Sequence, residues 1–162
     1  MRRRALLAAT TAAATVPLAG CPTPPWGEDP QAIDGAEVTF RREYDGEIAD
    51  GEGSPEDAAE LRRYLNADPP WLIVVGEFLD GARECYRVTL IEAGLDGDRL
   101  LLRLGTEDDP EWEGDACPDV AQTHPYSVEV AFREADSPDR VTVRHGDETV
   151  MDNEVVTSAV QK

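Results

Sequence analysis

The sequence predicts a mainly β domain: a small antiparallel sandwich or open barrel of six to seven strands, with one short helix near its start. Three observations lead there. From Trp71 onward, apolar residues recur at every second position, the period of a half-buried strand. Gly-Asp turn signals separate these runs at hairpin spacing. Apolar residues make up 41% of the 162-residue chain, enough for one core although 34 acids stand against 15 bases.

The elements follow in order. Val38 and Phe40 alternate with Thr39 and Arg41, a short strand. A loop containing Gly46, Gly51 and Gly53 comes next. Ser54-Pro55-Glu56-Asp57 reads as a helix start: a capping hydroxyl, proline at the first helical position, and acids at the positive end of the dipole. Ala58, Leu61 and Leu65 then share one helical face, and Asp68-Pro69-Pro70 ends the helix. Leu72 to Val75 is a continuous apolar run, as in a strand covered on both faces. Tyr86, Val88 and Leu90 alternate with Arg87 and Thr89; Leu100, Leu102 and Leu104 alternate with Leu101 and Arg103. Leu95-Asp96-Gly97-Asp98 supplies the turn between them. Tyr126, Val128, Val130 and Phe132 form the cleanest amphipathic strand. Val141 and Val143, a Gly146-Asp147 turn, and Thr149 to Met151 complete the set. The spacing favours antiparallel pairing throughout.

Ahead of this domain, residues 1–20 read as an export signal. Arg2-Arg3-Arg4 is a charged start, and Ala5 to Leu18 is an apolar stretch too short to span a bilayer of roughly 30 Å. The adjacent arginines before Leu6-Leu7 allow a twin-arginine reading. Leu18-Ala19-Gly20-Cys21 resembles the lipobox of prokaryotic lipoproteins, which implies cleavage before Cys21 and lipid on its thiol. An ordinary secretory signal with a chance cysteine, or a single membrane anchor, are the alternatives. Residues 21–36, rich in proline, form a semi-rigid tether, and residues 37–162 form the globular domain. The expected location is the outer face of the cell membrane, with the lipid anchor as first partner.

With Cys21 assigned to lipid, Cys85 and Cys117 remain. An exported protein meets oxidising conditions, so the even remainder suggests a disulfide. Two free thiols or half of a metal site are the other options, but neither cysteine has a C-x-x-C or histidine neighbour.

Charge excludes some partners. Without the leader, 34 acids face 12 bases, a balance that opposes docking on nucleic acid or on an anionic membrane. Acid-rich, lysine-poor composition resembles exported proteins of extremely halophilic archaea, where molar salt screens acid–acid repulsion. The densest acid run holds Glu107, Asp108, Asp109, Glu111, Glu113 and Asp115. Six carboxylates would suit Ca²⁺, which takes six to eight oxygens, but EF-hand spacing is missing and a solvated loop explains the run.

Hydrolase, P-loop, zincin and dinucleotide motifs are missing. The two histidines read as ordinary: His124, before Pro125, as a loop residue, and His145, before Gly146, as a hairpin end. Either could pair with a carboxylate as a general base, yet acids are too common for that to be informative. No catalytic residue and no cofactor is expected.

Two segments carry a further resemblance. One is Gly76-Glu77-Phe78-Leu79-Asp80-Gly81-Ala82-Arg83-Glu84-Cys85-Tyr86-Arg87-Val88; the other is Cys117 to Tyr126. Together they resemble the C-terminal domain of PrcB-type protease-complex lipoproteins over roughly residues 55–132. Tyr86 matches that family's turn tyrosine; Thr123, Pro125 and Tyr126 match its later motif; Arg83-Glu84-Cys85 replaces its Gly-Gly turn. Small haloarchaeal lipoproteins are similar in having one cysteine at each of these places. The resemblance implies a surface-anchored β module that binds or stabilises another envelope protein, with a protease as one possible partner. A solute- or Ca²⁺-binding lipoprotein is the alternative.

Overall fold

A computed structural model describes residues 32–42 and 57–155. Eight strands run in chain order: β1 (Ala36–Arg41), β2 (Ala58–Tyr64), β3 (Trp71–Asp80), β4 (Tyr86–Asp96), β5 (Arg99–Asp108), β6 (Gln122–Phe132), β7 (Arg140–His145) and β8 (Glu148–Glu154). They form two four-stranded sheets, ordered β1-β6-β3-β2 and β4-β5-β7-β8. The sheets pack as an open sandwich, bearing out the mainly β expectation.

The core is the sum of the inward alternations. Leu100, Leu102 and Leu104 of β5 and Val141 and Val143 of β7 are fully buried from one sheet. Leu72, Val74, Tyr126, Val128, Val130 and Phe132 meet them from the other. Ile33 is also buried in this cluster, so packing already includes a residue of the segment read as tether. Gly97 and Gly146 sit at φ of 61° and 58°, which the tight β4–β5 and β7–β8 turns require and only glycine adopts freely.

Three expectations are corrected. The segment read as a helix is strand β2, antiparallel to β3 with Leu61 opposite Val74. Its sequence fits both periods, because Ala59 and Leu61 also alternate with Glu60 and Arg62; pairing to β3 overrides the helix-forming composition. The cap residues Ser54 to Glu56 lie outside the described residues, as do residues 1–31, with the segment read as an export signal and Cys21. Asp68-Pro69-Pro70 lies in the β2–β3 connection instead of ending a helix. Second, β5 and β7 pair in parallel, Leu100 beside Val141 and Leu102 beside Val143. Between them the chain crosses to the other sheet as β6 and returns, which restores its direction. Third, His124 is not a loop residue but a buried member of β6; His145 does end the β7–β8 hairpin as expected, and it too is buried, facing the core.

Arginines lace both open sides of the sandwich. Arg42, just past β1, donates its Nε to the Val88 carbonyl of β4 at 3.0 Å. On the far side Arg63 of β2 donates to the Glu154 carbonyl of β8 at 2.6 Å.

Candidate functional site

Two constellations stand out. The first is a buried polar chain, Asp57–His145–Tyr126, linking the sheets. The Tyr126 hydroxyl lies 2.8 Å from His145 Nε2, and His145 Nδ1 contacts the Asp57 carboxylate. A neutral imidazole with its proton on Nδ1 satisfies all three: Nδ1–H donates to Asp57, and the tyrosine O–H donates to Nε2. Burial pushes the His145 pKa below its ordinary value, against the hydrogen bond and charge of Asp57 and the charge of Glu148. This order of groups matches a general base with its orienting carboxylate. Here, however, the Tyr126 residue and the His145 side chain have no solvent exposure, so these groups brace the core.

The second constellation is a cleft on the β1/β4 side, of about 140 Å³, lined by Arg42, Arg83, Tyr86, Arg87, Val88, His124 and Pro125. Its walls are built locally. Residues 82–86 form a tight turn in which the Ala82 carbonyl accepts from the amides of Cys85 and Tyr86, both at 3.0 Å. Gly81 lets the Tyr86 ring lie against the backbone: a Cβ there would sit 2.6 Å from the ring. The Gln122 side chain accepts from the Arg83 amide at 2.7 Å, and His124 Nε2–H donates to the Gly81 carbonyl at 2.9 Å. Pro125 is tolerated within β6 because β1 pairs only from Ser127 onward, so no ladder bond on that side is lost.

Glu107 closes one wall, accepting from Arg87 Nε at 2.6 Å and from Arg42 Nη2 at 3.4 Å. The Arg83 residue is exposed, and among the described residues its guanidinium has no ion-pair partner. Three guanidiniums around a small concavity suit a carboxylate or another small oxyanion.

The predicted sites fall as follows. Cys85 and Cys117 are bonded, with Cα atoms 6.0 Å apart, within the reach a disulfide needs. The bridge pins the cleft's turn to the 109–121 loop, as does the Asp109 amide donating to the Cys85 carbonyl at 2.7 Å. The acidic run does not converge. Glu107 is committed to arginines, Asp109 bonds the Glu111 amide, and among the described residues no three His, Cys, Asp or Glu side chains gather as metal ligands. The run therefore gives the Ca²⁺ alternative no geometry. Of the residues carrying the family resemblance, Tyr86 and Pro125 line the cleft, while Tyr126 is core. Sequence reasoning missed Arg42, Arg83 and Arg87 as a group. The available signal was the scarcity of bases in so acidic a chain, two of which flank Cys85. The chain matches no family model, no curated protein and no solved structure.

Proposed function

We propose that this protein is a non-catalytic interaction module, exported and held at the outer face of the membrane by lipid on Cys21, that binds or stabilises another envelope protein. The observation that carries this reading is the arginine-lined cleft in a chain of net charge −19. Such a surface repels acidic proteins in general, so a local cationic concavity sets where a partner's carboxylate goes, and thereby the register of docking. A cleft of about 140 Å³ takes one acidic side chain, whereas sites for drug-sized ligands run to about 300–1,000 Å³. The resemblance to PrcB-type lipoproteins points the same way, since it implies interaction and no chemistry.

Crosslinking in intact cells tests the reading. Arg83→Glu should remove the crosslinked partner while leaving membrane retention unchanged; a partner captured equally by the variant would overturn the cleft's role. Cys21→Ser should release the protein or block its maturation, and unchanged retention and processing would count against the anchor. A second reading, a binder of a small free oxyanion, rests on the same cleft. It is favoured if isothermal titration finds a small carboxylate bound by the wild type and not by Arg83→Glu.

A further inference from the structure

The outer face of the second sheet carries an arrangement that composition alone argues against. Four of the eleven arginines after Cys21 stand on its two central strands. In the parallel β5–β7 register Arg99 lies beside Arg140 and Arg103 beside Arg144, with Leu101 and Thr142 forming the row between. Like charges directly opposite one another destabilise a sheet. Acids frame the stripe on both flanks: Asp96 and Glu92 on β4 oppose Arg99 and Arg103, and Glu154 and Asp152 on β8 oppose Arg140 and Thr142.

The acids neutralise only half of it. Arg140 contacts Asp152 at 3.2 Å and Glu154 at 3.6 Å, and Arg103 Nε lies 3.3 Å from Glu92. Among the described residues, Arg99 and Arg144 have no carboxylate in ion-pair contact; Arg144 donates only to the Asp147 carbonyl, at 2.6 Å. The Nε atoms of Arg103 and Arg144 are shut off from water without a hydrogen-bond partner, Arg103 Nε meeting Glu92 by charge alone. The excess reaches the flanks: Asp152 is held below the usual carboxylate range, first by its bond from Arg140, with help from Thr142 and the charges of Arg140 and Arg99.

We propose that this stripe is a docking surface for an extended acidic segment of a partner protein, with carboxylates four residues apart seated on the Arg99/Arg140 and Arg103/Arg144 rows. Spacing selects that ligand. The rows are four residues apart along each strand, about 13 Å, too far for one small oxyanion to bridge. An extended chain with acids at i and i+4 matches that distance and sets an uncharged residue over Leu101 and Thr142. The flanking acids confine the ligand to the stripe. This surface is separate from the cleft and does not depend on it.

The test uses the full chain and a peptide of repeating Glu-Thr-Thr-Thr, which puts acids at i and i+4 and threonine between them on the same face, with a Gln-Thr-Thr-Thr peptide as control. Titration from about 0.15 to 1 M salt spans Debye lengths of about 8 to 3 Å, so distant repulsion is removed while contact pairing persists. The expected result is binding of the Glu peptide alone, at least tenfold weaker in Arg99→Gln/Arg144→Gln, a variant that leaves the existing ion pairs in place. Arg83→Gln, in the cleft, should bind as the wild type does. The proposal is overturned by no binding, by an unaffected double variant whose urea midpoint shows it folded, or by loss of binding in Arg83→Gln. It is also overturned if free sulfate at equal concentration displaces the peptide, or if the double variant instead abolishes self-association seen by sedimentation, which would make the occupant a second copy.

Discussion

The Tyr126 hydroxyl and His145 Nε2, 2.8 Å apart, form a buried hydrogen bond between the two sheets. The His145 ring also lies 4.8 Å from Phe78, centroid to centroid, so its polar atoms must be satisfied by Tyr126 and Asp57. Tyr126→Phe keeps the ring and removes the only atom among the described residues that bonds Nε2, leaving that nitrogen buried without its partner. A loss of about 1–3 kcal/mol is expected, read as a lower urea midpoint at unchanged slope.

Acid should weaken the same bridge. Burial holds His145 below its ordinary pKa of 6.5, so in that window the unfolded chain binds more protons than the folded one. Stability is complete above about pH 6.5 and falls as pH drops towards the lowered folded value. Urea midpoints measured between about pH 7.5 and 5.5 should decline; a level profile would contradict the assignment of a neutral buried imidazole.

Gly76 faces Tyr126 across the β3–β6 pair, and a Cβ at Gly76 would stand 2.2 Å from the tyrosine ring. The glycine thus makes room for the ring that carries the bridge. Gly76→Ala is expected to cost about 1–3 kcal/mol through overpacking. If the variant melts within a degree of wild type, the ring has another place to go and this account of Gly76 fails.

Removing the bridge with Cys85→Ser/Cys117→Ser opens a loop whose ends are 32 residues apart in sequence. Chain-entropy arithmetic gives a loss of about 3–4 kcal/mol. Because the bond pins the turn that holds Arg83, amide exchange at residues 82–86 should rise as well. Unchanged protection there would separate the disulfide from the cleft.

With 34 acids against 12 bases after residue 20, stability should climb with KCl or NaCl well beyond about 0.15 M. Screening of acid repulsion and salt-strengthened apolar burial act in the same direction. A midpoint that is flat or falling up to molar salt would remove the explanation of the acidity as a solubility device.

Much of the fold was legible because strand β6 and the Leu100-Leu102-Leu104 run alternate cleanly, and because Gly97 and Gly146 mark their turns. Strand β2 was not, since its run of Ala, Glu, Leu and Arg before Tyr64 satisfies two periods and only the β3 ladder chooses between them. The parallel β5–β7 pair was equally hidden, because local turn signals say nothing about a strand that leaves for the other sheet. His124 was within reach: it sits two positions before Tyr126 and continues the same alternation, but Pro125 drew attention to a turn. The partnership of His145 with Asp57, 88 residues away, and the meeting of Arg42, Arg83 and Arg87 depend on tertiary packing that no local window contains.

The position of β6 between β1 and β3 has a consequence for synthesis. A nascent chain that has emerged only as far as β5 holds two hairpins and a stray first strand, with the gap in the middle of one sheet still empty. β7 likewise reaches its place beside β5 only after the intervening strand has been made. Vectorial folding is therefore blocked until the last quarter of the chain arrives, and the domain assembles late and in one cooperative event, as high-contact-order β topologies do. Ribosome-stalled chains ending before Gln122 should remain protease-sensitive throughout, whereas chains extended past Val155 should become resistant together in both sheets.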